Sequence, residues 1–424
     1  MTKVSGTGLS AYALFAALLS AAGLPIYIHA PKFFVDEYGV SLAALGTVLF
    51  ALRLIDVVQD PLLGRLARIL RHHRQLAVTL ACVAMAAAMV GLFAVTPLLP
   101  PLAWFALMLT LVFSAFSFLT INFYAQGVTK ARVLGKTGHL HLARWRETGA
   151  LLGVCMASVA PVALGAVMGA PFAGFAAGFV FLALAAGWAM RGEWGGIGPT
   201  TSPGFGTVLK DALARRLLII ALVNAAPVAV SSTLFLFFVE SGLNAPGFEG
   251  PLLLIFFLSA AAAAPFWGML AERYGPKPVL LWAMGLAILA FGFTLTLGPG
   301  DAYLFALICV ASGAVLGADL TLLPAMFAAR MSVISPDAAE GFGLWSFASK
   351  LTLALAAVTL FPALEAAGYQ SGGSQSPQTA LTLLGLLYAG VPCVLKAVAM
   401  ILLGFTDLKG NQQMVAGKAD RQAP

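Results

Sequence analysis

One arginine and two aspartates interrupt an apolar stretch, and their spacing is that of groups able to bind a cation. Residues 53–61 read RLIDVVQDP, with Arg53, Asp56 and Asp60 three and four residues apart. In a helix, at 100° per residue, the three side chains lie within about 60° of one another on one face. Two carboxylates one turn apart in a low dielectric need a proton, a metal ion or a basic group to compensate their charge.

Arg53 stays charged and can hold one carboxylate, which leaves the other able to exchange H⁺ or a hard cation such as Na⁺. The segment therefore predicts a cation site in which Asp56 and Asp60 can serve as ligands of Na⁺. The alternative is a buried Arg–Asp network that only fixes helix packing, or a gate at a helix end, since Asp60 is close in sequence to Arg65. Pro61 fits a helix end or bend and agrees with either interpretation.

Long apolar segments must position these groups. Of the 424 residues, 60% are hydrophobic and only 10% are charged, and the mean hydropathy is +0.94. Soluble domains carry about 25% charged residues. Twelve segments of about 20 apolar residues can each cross ~30 Å of hydrocarbon. The sequence predicts an all-α membrane protein with twelve transmembrane helices, whose main partner is the lipid bilayer.

The basic residues predict an orientation. Apart from Lys32, Arg53, Lys350 and Lys396, all Lys and Arg fall in alternate loops, as cytoplasmic loops do. We expect an inner (plasma) membrane protein with both termini cytoplasmic. The net charge of +7 then reflects topology, and no nucleic-acid partner is expected. Lys32 and Lys396 are expected to reach an interface or to form a single internal pair.

A polar interval rich in Gly and Pro divides the helices six and six. The predicted parts are an N-terminal half (1–190), a cytoplasmic linker (191–213), a C-terminal half (214–405) and a cytoplasmic tail (406–424). Each half carries a related segment after its second helix, GRLARILRHHR from Gly64 and GMLAERYGPK from Gly268. Two six-helix halves around a midplane site are typical of transporters that work by alternating access.

The two related segments resemble the signature between the second and third helices of the major facilitator superfamily. This resemblance implies the major facilitator fold, with two six-helix halves around a central cavity. It assigns conformational gating to Gly64, Arg65, Gly268 and Arg273.

The stretch RLIDVVQDPLLGRL further resembles the helix-2 signature of the glycoside, pentoside and hexuronide cation symporters, the melibiose-permease-like branch of that superfamily. Likeness continues in PKFFVDEYGV, ARWRETGALLG, GADL and LWSFASKLTLALA. The resemblance implies that Asp56 and Asp60 bind the coupling ion, H⁺ or Na⁺, with Lys350 beside them. It also implies that Arg146 lines the cavity, although Arg146 equally fits a cytoplasmic loop.

Two acids of the melibiose-type members are missing from this chain. Thr120 and Ser20 stand at their positions on helices 4 and 1, and Tyr124 stands at the place of a tryptophan. We assign Thr120 to the cation site, and Ser20, Tyr124, Arg146 and Asp319 to the substrate site. Because ionised acids give bidentate recognition of sugar hydroxyls, their loss weighs against a melibiose-like sugar.

The sequence thus predicts a secondary active transporter that couples H⁺ or Na⁺ to symport of a small glycoside-like or uronide-like solute. Transport of a lysolipid or other amphipath, efflux by antiport, and a sensor or scaffold without transport are the alternatives. A prenyltransferase would need a second aspartate-rich motif, which the sequence lacks. We expect no enzymatic activity, no catalytic residue, no cofactor and no obligate protein partner.

Overall fold

The computed structural model describes residues 8–135, 137–195, 205–335, 338–369 and 377–407, apart from a few helical side chains, that of Arg53 among them. This part of the chain consists of helices and the turns between them, and it contains no strand. The all-α class predicted from the sequence is confirmed.

Seven α-helices lie in the described residues before position 195. They are α1 (Leu9–Ala21), α2 (Leu24–Tyr38), α3 (Leu42–Ile69), α4 (Arg74–Phe93), α5 (Pro101–Val133), α6 (Gly138–Gly165) and α7 (Pro171–Met190). Helix α3, which carries the two aspartates, begins after Ser41, whose hydroxyl accepts a hydrogen bond from the amide of Ala44 at 3.2 Å. Such a cap satisfies one of the free amides at the helix start.

Eight α-helices lie in the described residues after position 205. They are α8 (Phe205–Lys210), α9 (Ala212–Phe237), α10 (Glu249–Tyr274), α11 (Pro276–Gly292), α12 (Ala302–Ile334), α13 (Ala339–Ala366), α14 (Gln378–Gly385) and α15 (Val391–Gly404). A π-helical turn extends α9 over Phe238–Gly242, and a second one joins α14 to α15 over Leu386–Gly390. The rings of Phe238 and Tyr388 stack at 4.2 Å and so tie the two π-turns together.

Ten helical segments of the described residues are long and apolar enough to cross a membrane, whereas the sequence predicts twelve. The difference lies in the first helices. A break at Gly23 separates α1 from α2, which have 13 and 15 residues, and Pro25 in the first turn of α2 lacks an amide hydrogen. A 3₁₀ turn (Leu70–His73) makes α3 continuous with α4, so that Val58–Phe93 counts as one segment.

The most extensive contacts between the chain before residue 195 and the chain after residue 205 are those of α3 with α13 and of α6 with α10, while α5 also packs on α12 and α13, and α6 on α12. The first pair is in backbone contact. A Cβ atom at Gly64 would lie 3.1 Å from the carbonyl oxygen of Ala339 and 3.3 Å from the Cα of Gly343. Glycine at both positions allows this close approach of the two backbones. In the second pair, Gly268 packs on the side chain of Arg144. A Cβ atom at Gly268 would lie 3.1 Å from the Cβ atom of Arg144.

Several ion pairs and hydrogen bonds gather at one end of the bundle, where α3, α5, α7, α10 and α12 terminate. We call it the basic end. Arg68 pairs with Glu340 at 2.8 Å, and Arg144 approaches Glu272 to 3.6 Å. His141 lies 3.6 Å from the same Glu272 oxygen. Each of these contacts joins a helix before residue 195 to one after residue 205, so they hold the basic end closed.

Candidate functional site

Asp56 and Asp60 of α3 meet Lys350 of α13 where these two helices pack together. Asp60 is fully buried, and its Oδ1 accepts a hydrogen bond from the Lys350 Nζ at 3.1 Å. The same Nζ lies 3.6 Å from Oδ1 of Asp56, which is also buried. Ser346 of α13 donates to Oδ2 of Asp60. One ammonium is therefore shared between two carboxylates across the boundary between the two parts of the chain.

Polar side chains of α3 and α5 complete this cluster. The Lys350 Nζ also donates to Ser117 Oγ at 2.6 Å. Gln59, between the two aspartates, donates to Asp56 Oδ1 at 2.6 Å and accepts from Ser114 Oγ at 2.9 Å. Sequence reasoning missed these residues and Ser346. The signal was their helical spacing: Ser114 and Ser117 are three apart, and Ser346 is one turn before Lys350.

The donor atoms of this cluster are carboxylate, hydroxyl and amide oxygens, which suit a proton or a hard cation. In the part of the chain that the structure describes, no group of three or more His, Cys, Asp and Glu side chains could hold a metal ion. The side chain of Arg53, assigned to this site from the sequence, lies outside the described residues. Any cation entering the cluster must compete with the Lys350 ammonium, because that ammonium already contacts both carboxylates.

A second polar cluster joins α5 and α6. The guanidinium of Arg146 stacks 3.8 Å above the ring of Tyr124 and donates through Nε to Glu147 at 2.7 Å. The Tyr124 hydroxyl donates to the same carboxylate oxygen at 3.3 Å. Arg146 is buried inside the bundle, so it is not a loop residue. Its Nη2 and the Oγ1 of Thr120 are buried and have no hydrogen-bond partner among the described residues.

Asp319, assigned to the substrate site, lies in a separate cluster of α9, α12 and α15. Its Oδ2 accepts a hydrogen bond from the Lys396 Nζ at 2.5 Å, and Lys396 also donates to Asn224 Oδ1 at 2.8 Å. All three residues are buried. The fourth predicted substrate residue, Ser20, is half-buried in the last turn of α1, where its carbonyl accepts from the Gly23 amide at 3.1 Å.

The predicted gating residues divide into two groups. Gly64 and Gly268 lie at the two most extensive contacts between the parts of the chain, as described above. Arg65 and Arg273 are exposed, and the guanidinium of Arg273 lies 5.3 Å from the ring of Tyr274. The charged contacts across the basic end come instead from neighbouring residues, such as Arg68 with Glu340.

Comparison with known proteins agrees with this architecture. A family model described as MFS/sugar transport protein matches residues 9–410. Two solved structures of a bacterial homologue of the iron transporter ferroportin, both outward-facing and one with soaked iron, have TM-scores of 0.65 and 16% identity to this chain. Each alignment covers 94% of this chain, and the two alignments cover 99% and 100% of the solved chains. At a sequence identity of 16%, the similarity supports a shared fold and nothing about function. Among curated proteins, none matches.

Proposed function

The chain belongs to the MFS/sugar transport protein family, and we propose that it is a cation-coupled symporter whose ion site is formed by Asp56, Asp60 and Lys350. Family and fold are those of membrane transporters, and the chain is a multi-pass membrane protein. The proposal adds the coupling ion, H⁺ or Na⁺, and a small glycoside-like or uronide-like solute.

The sharing of one ammonium by two acids carries this proposal. Lys350 lies 3.1 Å from Asp60 and 3.6 Å from Asp56, on a helix of the other part of the chain. A cation that binds the carboxylates displaces the ammonium, and when the cation leaves, the ion pair forms again across the boundary. Occupancy of the ion site thereby changes how strongly α3 and α13 are held together. A ligand shifts a conformational equilibrium only through such differential binding to the two states.

The closure of the basic end supports alternating access. Gly64 contacts Gly343, and Arg68 pairs with Glu340, both at the basic end of the α3–α13 contact. If the basic end is cytoplasmic, as basic loops are, this is a state closed towards the cytoplasm. We place the protein in the inner membrane with both termini cytoplasmic on the same argument.

The polar groups near α5 and α6 support a small polar solute. The Nη2 of Arg146 and the Oγ1 of Thr120 are buried donors without partners in the described residues. A guanidinium can bind a carboxylate or a pair of hydroxyls. Glu147, which bonds to both Arg146 and Tyr124, adds an ionisable acceptor that can receive hydrogen bonds from sugar hydroxyls.

The test is solute uptake by purified protein in proteoliposomes, with a glycoside, a uronide and a lysolipid offered separately. Imposed Na⁺ and pH gradients should drive accumulation of the glycoside or the uronide, and dissipating the gradient should stop it. Accumulation of the lysolipid alone would favour an amphipath transporter. Export driven by an opposing gradient would favour antiport, and uptake that is independent of both ions would contradict the proposal.

A further inference from the structure

A long apolar groove runs along the surface of α4 and α7, and none of its lining residues belongs to the Lys350 cluster. Its volume is about 890 Å³, and it extends from Gln75 to Val95, about 30 Å along the helix. Small residues make up part of its lining: Ala84, Ala87, Ala88, Gly91, Ala183 and Gly187. The groove is therefore a shallow channel that follows the full length of a membrane-spanning helix.

One charged residue, Arg191, lines the groove, at its basic end. Its guanidinium lies 4.4 Å from the ring of Trp188, which also lines the groove. The acid closest in sequence, Glu193, is bonded to Lys130 by both carboxylate oxygens at 3.0 and 2.8 Å. No ion pair in the described part of the chain involves Arg191. Arg191 thus presents an uncompensated positive charge at the mouth of an apolar channel.

We propose that this groove binds an anionic phospholipid, with acyl chains along α4 and α7 and the phosphate at Arg191. The arrangement matches the two parts of such a lipid. A guanidinium binds phosphate oxygens in bidentate fashion, and Trp188 is suited to the level of the headgroups. Basic pockets between membrane helices bind anionic headgroups in the same way. A second copy of the chain fits less well, because a parallel two-fold contact would place two Arg191 side chains at one depth.

The headgroup contact can be tested by native mass spectrometry of the full-length protein, titrated with phosphatidylglycerol or phosphatidylcholine of identical acyl chains. The wild type should retain phosphatidylglycerol more strongly. Arg191→Gln should weaken phosphatidylglycerol binding about fivefold, the equivalent of ~1 kcal/mol, and phosphatidylcholine binding less, because the choline group cancels the net charge of that headgroup. Arg273→Gln is the matched control, because Arg273 is also exposed and stacked on an aromatic ring, Tyr274, but lies outside the groove.

A second variant tests whether the acyl chains lie in the groove. A Cβ atom at Gly187 would meet nothing within 4 Å, so Gly187→Leu should fold, fill the groove and reduce binding of both lipids. Gly285→Leu on α11, where the space is equally open, is the control. Equal retention of the two lipids by the wild type would overturn the proposal, as would unchanged binding in Arg191→Gln or Gly187→Leu. A lipid-free dimer that Gly187→Leu dissociates would assign the groove to a second copy instead.

Discussion

Replacing Lys350 by alanine removes the charge that Asp56 and Asp60 share. The variant leaves the positions of the two carboxylates on α3 unchanged and deletes the hydrogen bonds from the Lys350 Nζ to Asp60 and Ser117, at 3.1 and 2.6 Å. Both acids are buried, and Asp60 is fully so. We expect the variant to bind the coupling cation more tightly than the wild type and to accumulate solute poorly.

The magnitude follows from the geometry. At an effective dielectric constant of about 20, unit charges 3.1 Å apart attract by about 5 kcal/mol, and those 3.6 Å apart by slightly less. Repulsion between the carboxylates and water at the partly exposed Lys350 offset part of this attraction. Removing one partner of a buried pair costs about 3–5 kcal/mol. A cation that takes the place of the ammonium recovers much of that loss, and ~3 kcal/mol corresponds to roughly 100-fold in affinity.

The assay is the thermal stability of the purified protein, titrated with Na⁺ at several pH values, together with uptake in proteoliposomes. Lys396→Ala is the matched control, because Lys396 also forms a buried ion pair, with Asp319 at 2.5 Å, but in a different cluster. Both variants should melt at a lower temperature without added cation. Only Lys350→Ala should regain stability at a cation concentration far below that needed by the wild type.

Two results would refute this reasoning. If Lys350→Ala shows the cation dependence of the wild type and still concentrates solute, the ammonium does not compete with the ion. If Lys396→Ala changes the cation dependence equally, the effect reports general loss of stability rather than a local ion site.

Three further predictions concern the acids, the closed end and the topology. Asp56→Asn and Asp60→Asn should each abolish cation-driven accumulation while solute binding falls less, as measured by uptake and equilibrium binding, because Asn keeps the size but not the charge. Gly343→Leu should destabilise the closed basic end by ~1–3 kcal/mol through overpacking, because a Cβ atom at this position would lie 3.1 Å from the Asp60 carbonyl oxygen. Cross-linking of α3 to α13 should fall in this variant. Gly46→Leu, where a Cβ atom would meet open space, should leave the cross-linking unchanged. A reporter fused near Lys418 should lie in the cytoplasm, and an external one would contradict the orientation.

The central cluster could be anticipated from the sequence because charges within apolar helices are rare and costly. Asp56, Asp60 and Lys350 were visible for this reason, and the structure brings them together. Ser117 and Ser346 were not, because hydroxyls occur freely in membrane helices, where they bond to their own backbone. Only tertiary packing determines which hydroxyls face the ion pair.

Other features depend on contacts that the sequence does not encode locally. Arg65 and Arg68 are equivalent basic residues by composition, yet only Arg68 lies on the side of α3 that meets Glu340. Lys396 forms an ion pair with Asp319, although the two residues are 77 positions apart in the chain. Two of the twelve predicted spans are not counted separately: Gly23 divides the first into α1 and α2, and the 3₁₀ turn joins the end of α3 to the start of α4, neither of which the hydropathy pattern shows.

The sharing of one ammonium by two carboxylates also has an electrical consequence. A monovalent cation that enters this buried site adds one positive charge to Asp56, Asp60 and Lys350 at a point inside the membrane. Moving a unit charge across a membrane changes the free energy by ~2.3 kcal/mol per 100 mV. We therefore expect entry of the cation into the site to depend on the membrane potential as well as on the concentration gradient.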